Sequence, residues 1–221
     1  KVIDLDENFA MAYRGMAFTY QNMRQNENAE KYIKLALSHI DRMTERERYR
    51  TRASYYALLG DRQKCLEEYG ALISRYPSDS TAHNNLAYCA TQLRDMTKAL
   101  EHVRQAAAIF PKRPTYRANI SLYALYGSDF PTAEKEAQAL LQLDPSHLYG
   151  FLATALAQLG MGQLPQATET FQKLEKLSKA GASQAASGLA DIALYEGRFA
   201  DAARILERVV EWAVGIWPVF V

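Results

Sequence analysis

The sequence has little of what marks disulfide scaffolds, membrane proteins or nucleic-acid binders. Only two cysteines, Cys65 and Cys89, occur in 221 residues, which is too few for a disulfide framework. We expect both to be buried free thiols in a reducing compartment. We expect no signal peptide, and no apolar run reaches the roughly 20 residues that a membrane-spanning helix needs. Its formal net charge of +1 creates no field that attracts nucleic acid. These absences predict a cytoplasmic protein with neither nucleic-acid nor membrane partners.

Motifs for catalysis and metal binding are also missing. The sequence contains no Gly-rich phosphate loop, nucleophile elbow or kinase signature. Its four histidines are His39, His83, His102 and His147. None of them has a second histidine or a cysteine at a recognised metal-ligand spacing. We therefore predict that the chain is not an enzyme and holds no cofactor and no metal.

What the chain does have is a repeat of about 34 residues. Pro77, Pro111 and Pro145 are spaced 34 residues apart. Two series of small residues run in register with these prolines: Ala17, Ala53, Ala87, Ser121, Ala155 and Ala190, then Ala29, Cys65, Ala99, Ala133, Ala167 and Ala202. Helices pack 8–10 Å apart, and a small side chain at the crossing point allows the closest approach. The two series predict stacked helix pairs.

The register divides the chain into six repeats. They span residues 10–43, 46–79, 80–113, 114–147, 148–181 and 183–212. Residues 1–9 are interpreted as the end of an earlier repeat, and residues 1–212 as one domain. A two-residue insertion precedes the second repeat, whose start is marked by a predicted capping box from Thr44 to Glu47.

The period, the two alanine-like positions and the terminal proline together resemble the tetratricopeptide repeat over nearly the whole chain. Arg52 and Arg117 depart from the family, which prefers large apolar residues at their positions, and Cys65 occupies a small site. The resemblance implies an all-α, right-handed superhelical solenoid of antiparallel helix pairs, with six repeats and a partial N-terminal one. It also implies that a protein or peptide binds in the concave groove.

The resemblance selects the residues that would line this groove. The candidates are Arg14, Phe18, Arg50, Asn84, Asn85, Tyr88, Asn119, Leu122, Tyr126, Tyr149 and Tyr195. Asn85 and Asn119 occupy equivalent places in adjacent repeats, and an amide can hold a peptide backbone through both a donor and an acceptor. Alternatively, they are ordinary residues of the repeat that face water. The tyrosines offer contact area at low entropy cost, although 14 tyrosines in the chain make some in the groove expected.

An arginine-rich stretch surrounds Arg50. Its members are Arg42, Arg46, Arg48, Arg50 and Arg52. Guanidinium groups suit a bound carboxylate or phosphate. The alternative is a salt-bridged helix face that uses Glu45, Glu47, Glu67 and Glu68. The chaperone-tail carboxylate clamp known in the family is excluded, because Phe18 and Thr51 replace two of its required asparagines.

Residues 43–87 resemble repeat regions of bacterial signalling proteins, notably Ser/Thr protein kinases and cyclase-type regulators. We therefore expect a non-catalytic peptide-binding scaffold that is a regulatory module of a larger protein, with a catalytic domain N-terminal to Lys1. The alternative is a sensor that binds a small ligand or signalling peptide near Leu122, Tyr126, Leu156 and Tyr195.

The last nine residues, 213–221, form an apolar tail. Trp212, Ile216, Trp217 and Phe220 are the large apolar side chains in and beside it. Exposed aromatic residues at this density favour association. The tail is interpreted as a cap on the last helix pair, as a self-association surface, or as the end of a fragment.

Overall fold

The computed structural model describes Asp6 and residues 8–210, and all regular structure in that part of the chain is helical. The α-helices are α1 Ala10–Asn22, α2 Asn26–Ser38, α3 Glu45–Leu59, α4 Arg62–Arg75, α5 Ser80–Gln92, α6 Met96–Ile109, α7 Pro114–Tyr126, α8 Phe130–Leu143, α9 Leu148–Gly160, α10 Leu164–Glu175, α11 Lys179–Tyr195 and α12 Phe199–Val210. A short 3₁₀ helix, Ile40–Arg42, follows α2. The predicted all-α fold of helix pairs is confirmed. The tail residues Trp212, Ile216, Trp217 and Phe220 lie outside the described residues.

The helices belong to two compact units that meet in sequence between Phe110 and Pro111. Unit 1 contains α1–α6 and unit 2 contains α7–α12. Within each unit every helix packs against the next one in the sequence, and in unit 2 α9 also contacts α7 and α11. The single domain over residues 1–212 stays a prediction.

Small residues lie where the paired helices come together. Every member of the two predicted small-residue series is buried, and none is more than 2% exposed. The larger side chains that surround them form the core, such as Leu72 and Leu86 in unit 1 and Phe171 and Leu174 in unit 2. The periodicity of the sequence therefore corresponds to the contacts that hold the helices at short distance.

The turn inside each helix pair has the same backbone geometry. One residue in each turn has positive φ: Arg24, Gly60, Arg94, Ser128, Gly162 and Gly197. In three of these turns the next residue is an aspartate, Asp61, Asp95 or Asp129, whose side chain accepts from a backbone N–H of the second helix. The left-handed residue stops the first helix, and the aspartate caps the second.

Two further helix starts depend on side-chain caps. The predicted capping box is present, because Thr44 N donates to Glu47 Oε2 at 2.9 Å while Thr44 Oγ1 accepts from Glu47 N at 3.4 Å. Ser178 Oγ accepts from the backbone N–H of Gly181 at 3.0 Å and starts α11 at Lys179. This start is earlier than residue 183, where the sixth repeat was predicted to begin, so α11 has 17 residues.

Arg52 and Arg117, the two charged departures from the repeat pattern, each form an ion pair with a glutamate on the second helix of the same helix pair. Arg52 Nε donates to Glu68 at 2.8 Å, and Arg117 donates to Glu136 at 2.7 Å. All four side chains are partly buried. The long arginine side chains replace apolar bulk, and the glutamates pair their charges.

Two positions of the repeat lie 19 residues apart, one on each helix of a helix pair. In several repeats the side chains at these two positions contact each other. In the first repeat it holds Tyr13 and Tyr32, whose stacked rings have centroids 6.3 Å apart. In the third it holds His83 and His102, and in the fourth Arg117 and Glu136. The same backbone geometry therefore carries an aromatic stack, an imidazole pair and an ion pair.

The prediction of two free thiols is wrong. Cys65 on α4 and Cys89 on α5 are buried as expected, but they form a disulfide between Cα atoms 6.1 Å apart. Both residues belong to the core cluster that includes Tyr69 and Leu86. Stacking α5 on α4 brings the two small buried positions together, which the sequence spacing did not reveal. The argument for a reducing compartment loses this support.

The turn geometry predicts that Arg94→Gly stabilises the chain. Arg94 is exposed and has a φ of 59°, a conformation that costs a residue with a Cβ about 1–2 kcal/mol. Glycine adopts it freely but loses more chain entropy on folding, so we expect a net gain of about 0.5–1 kcal/mol. Urea unfolding measures this gain.

Arg104→Gly is the matched control, since Arg104 is an exposed arginine inside α6. It should lower the free energy of unfolding by about 1 kcal/mol. Destabilisation of both variants to a similar degree would contradict the proposed role of the left-handed position.

Candidate functional site

The predicted lining residues are divided between the two units. Those of unit 1 are Arg14, Phe18, Arg50, Asn84, Asn85 and Tyr88, and those of unit 2 are Asn119, Leu122, Tyr126, Tyr149 and Tyr195. The unit 1 residues lie on α1, α3 and α5, the first helices of three consecutive pairs. Each unit is therefore considered separately as a binding surface.

Unit 1 contains a hydrogen-bonded network that we call the polar cluster: Arg14, Arg50, Ser54, Tyr69, Asp79, Asn84 and Asn85. Arg14 Nε donates to Ser54 Oγ at 3.3 Å, and the Arg14 guanidinium also hydrogen-bonds to the Tyr69 hydroxyl. Asn85 Nδ2 donates to the same hydroxyl at 3.1 Å. The hydroxyl of Tyr69, a buried residue of α4, thus links α1 to α5.

Two asparagines extend the network along α5. Asn84 Nδ2 donates to Asn85 Oδ1 at 3.2 Å. Asn84 is buried, whereas Asn85 is only partly buried. The amide of Asn85 is therefore held on both its nitrogen and its oxygen, and its orientation is fixed.

Arg14 is a partly buried cation on an aromatic face. Its guanidinium carbon lies 4.9 Å from the centroid of the Phe18 ring. Burial lowers the pKa of the Arg14 guanidinium, Tyr69 opposes this change, and the neighbouring charge of Arg50 adds to it. An arginine still keeps its proton at physiological pH, so this part of the cluster carries a positive charge at some energetic cost.

Arg50 forms the most buried ion pair of the cluster. One of its terminal nitrogens donates to both oxygens of Asp79, at 2.8 and 2.6 Å. The Asp79 side chain is only 3% exposed, and it also caps α5 by accepting from Ala82 N at 2.9 Å. Arg46 approaches the same carboxylate at 3.6 Å and lies over the Tyr76 ring. Sequence reasoning missed Asp79, whose only signal was an aspartate directly before a predicted helix.

The remaining arginines of the arginine-rich stretch also contact acceptors within unit 1. Arg48 donates to the backbone carbonyls of Met43 and Asp41, both at 3.0 Å. Arg52 binds Glu68, and Arg42 lies 3.8 Å from Asp6. Glu45 pairs with Arg75 rather than with the stretch itself. The contacts of this stretch are those of a salt-bridged surface.

The unit 2 candidates differ widely in exposure. Asn119 and Leu122 are buried, whereas Tyr126 is 54% and Tyr195 81% exposed. Tyr149 is partly buried, with its ring centroid 6.0 Å from that of His147. Burial and the neighbouring Tyr149 raise the pKa of Tyr126. Tyr126 and Tyr149 are therefore close, but among the described residues no hydrogen bond or ring contact joins Tyr195 or Leu122 to them.

The structure joins two histidines that sequence reasoning treated as unrelated. The Nδ1 atoms of His83 on α5 and His102 on α6 lie 3.0 Å apart, and His83 Nε2 lies 3.0 Å from the Pro77 carbonyl oxygen. A carbonyl oxygen only accepts, so His83 Nε2 carries a proton and its Nδ1 offers a lone pair when the ring is neutral. Burial, followed by the proximity of His83, lowers the pKa of His102.

The comparison with known families decides the classification. A family model described as the tetratricopeptide repeat matches residues 50–114 and 152–213, more than half of the chain. The chain belongs to the tetratricopeptide repeat family. Proteins of this family are generally non-catalytic scaffolds that bind protein partners. Within the described residues, no helix has the length and apolar character needed to cross a bilayer.

Solved structures show the same fold. A tetratricopeptide repeat protein from Parabacteroides merdae is 17% identical, with a TM-score of 0.68 over 91% of this chain and 79% of that one. The type IV pilus biogenesis factor PilW is 19% identical, with a TM-score of 0.69 over 90% and 91%. PilF of Pseudomonas aeruginosa is 16% identical, with a TM-score of 0.67 over 96% and 94%. A search of curated proteins gave no significant match.

The polar cluster predicts that Asp79→Ala strongly destabilises unit 1. The substitution removes the cap of α5 and leaves the partly buried Arg50 without its carboxylate. Loss of one partner of a buried ion pair costs about 3–5 kcal/mol. Because Arg50 keeps some contact with solvent, we expect the lower end, about 3 kcal/mol, measured by urea unfolding.

Asp95→Ala provides the comparison, because Asp95 caps α6 in the same way but its side chain is 43% exposed. It should cost about 1 kcal/mol. Equal losses in the two variants would mean that the Arg50 pair adds nothing beyond the cap.

Proposed function

We propose that the chain is a non-catalytic binding module and that the polar cluster of unit 1 contacts an extended peptide segment of a protein partner. The observation that carries this proposal is the fixed, partly exposed amide of Asn85. The membership of the chain in a family of interaction scaffolds supports the general role. The cluster supports the location.

The amide of Asn85 has the hydrogen-bonding capacity that a peptide backbone requires. A side-chain amide offers two N–H donors and two acceptor lone pairs. Tyr69 and Asn84 use one donor and one acceptor of Asn85, which leaves one of each. Because Asn85 is already oriented, binding a backbone N–H and C=O does not require ordering this side chain, which lowers the entropic cost of association.

The charge of Arg14 indicates an acidic residue in the peptide. Among the described residues, Arg14 contacts a hydroxyl, a phenol and an aromatic face, but no carboxylate lies within ion-pair distance. Arg50 is nearby, but Asp79 pairs its charge, and Glu47 acts on the pKa of Arg14 in the opposite direction to Arg50. A ligand carboxylate at this place would form charge-assisted hydrogen bonds and offset the repulsion between the two guanidinium groups.

We also propose that the module is a regulatory or interaction part of a larger bacterial signalling protein. The support is the resemblance of residues 43–87 to repeat regions of such proteins. PilW and PilF share the fold at 16–19% identity, which gives no reason to assign their roles to this chain. The sequence of the full-length gene upstream of Lys1 tests the proposed context.

Peptide selection tests the binding site. A displayed library of random linear peptides is selected on the whole chain, and the dissociation constants of the enriched peptides are measured by fluorescence anisotropy. We expect Asn85→Ala and Arg14→Ala each to weaken binding by about tenfold or more, the effect of losing a hydrogen bond to a charged or oriented group. Replacing the acidic residue of the peptide with its amide should weaken binding to the unaltered chain but not to Arg14→Ala.

Asn28→Ala and Arg104→Ala are matched controls at exposed positions of α2 and α6, and both should bind like the unaltered chain. Circular dichroism and thermal unfolding exclude loss of fold in each variant. Selected peptides that bind all five proteins equally would place the site elsewhere. Asn119→Ala tests whether unit 2 participates.

A further inference from the structure

We propose that His83 and His102 form a binding site for one borderline divalent transition-metal ion, of the class Cu²⁺, Ni²⁺ or Zn²⁺, between α5 and α6. This site goes beyond the proposed function, because neither histidine belongs to the polar cluster.

The distance between the two ring nitrogens suits a metal ion. The Nδ1 atoms lie 3.0 Å apart and the ring planes are tilted by 34°. A divalent ion of this class binds imidazole nitrogen at about 2.0–2.1 Å, so two nitrogens in adjacent coordination positions are about 3 Å apart. An ion at this distance from both nitrogens lies beside the line that joins them, about 1.4 Å from it, so the two rings rotate until their lone pairs converge on the ion. A neutral His102 keeps its proton by shifting it from Nδ1 to Nε2, so both rings stay neutral and binding adds only the charge of the ion.

The environment of His83 is that of a metal ligand. Metal-binding histidines almost always donate their second N–H to a carboxylate, a backbone carbonyl or water, which fixes the tautomer and the ring orientation. Here His83 Nε2 donates to the Pro77 carbonyl at 3.0 Å. His83 is 7% exposed, so its ring is held by packing as well.

His102 gives the ion access to solvent. It is partly buried on α6, and Glu101 and Lys98 are the charged groups that act on it electrostatically. Lys98 also pairs with Asp95 at 3.8 Å, which reduces its repulsion of a cation.

The described residues contain no group of three or more potential metal ligands, so water completes the coordination shell. A site with two protein nitrogens should follow the general affinity order, with Cu²⁺ bound more tightly than Ni²⁺ or Zn²⁺.

The site should bind a single ion. At the two equivalent pairs described above, Tyr13 stacks on Tyr32 and Arg117 binds Glu136, and neither pair offers two neutral nitrogen ligands. Of the other histidines, His39 stacks on Tyr13, and His147 contacts Tyr149 with the ring planes tilted by 46°.

Metal titration of the tag-free chain tests the proposal. The protein is first treated with a chelator and then titrated with CuCl₂ and with ZnCl₂ in a non-coordinating buffer by isothermal titration calorimetry. We expect one bound ion per chain, tighter binding of Cu²⁺, and binding at least about tenfold weaker in His102→Gln. Ligand binding to the native state alone also raises the unfolding temperature, and this rise should disappear in the variant.

His39→Gln and His147→Gln are the controls, and each should bind metal like the unaltered chain. The test uses His102→Gln because His102 is the more exposed partner, so its replacement disturbs the fold less than that of the buried His83. Three results would overturn the proposal. They are unchanged binding in His102→Gln, a loss of binding in the two control variants equal to that in His102→Gln, and no binding of either metal.

Discussion

The structure depends on the close approach of helices at positions that carry a small side chain. Two such positions recur in each helix pair, and all twelve residues at them are buried. Because the backbones come close there, larger side chains interleave around each crossing rather than between the axes. The rest of the fold follows from this constraint: short turns with one left-handed residue, second helices capped by aspartate, and first helices whose remaining faces are available for other chemistry.

Repetition of the backbone leaves the chemistry of individual positions free to vary. Tyr13 with Tyr32, His83 with His102, and Arg117 with Glu136 occupy the same pair of repeat positions. Each combination satisfies the same cross-helix contact in a different way. The function of such a chain therefore depends on a few substitutions within the same repeated backbone structure. The polar cluster of unit 1 is an example of such substitutions. Side chains from four helices meet there, at the Tyr69 hydroxyl and at the Asp79 carboxylate.

The sequence was sufficient to predict what depends on local pattern. The 34-residue period and the small residues predicted the helix pairs, and the predicted Thr44–Glu47 capping box is present. Contacts between distant residues were harder to predict. Cys65 and Cys89 were expected to be free, and the histidine pair was not foreseen, because 24 and 19 residues of separation match no recognised spacing. The N-cap role of Asp79 was visible in principle, but its pairing with Arg50 depends on how α3 packs near the start of α5. The groove residues themselves were chosen by resemblance, and their binding role is still a proposal.

The most direct test of the central claim is the stability of Ala87→Leu compared with that of Ala108→Leu. Ala87 is fully buried at a crossing position of α5, whereas Ala108 is exposed on α6. A larger side chain at a close crossing forces the helices apart and costs about 1–3 kcal/mol, while an exposed helical leucine changes stability by less than about 0.5 kcal/mol. Urea unfolding should show a large loss for Ala87→Leu and almost none for Ala108→Leu. Equal stability of the two variants would contradict the account.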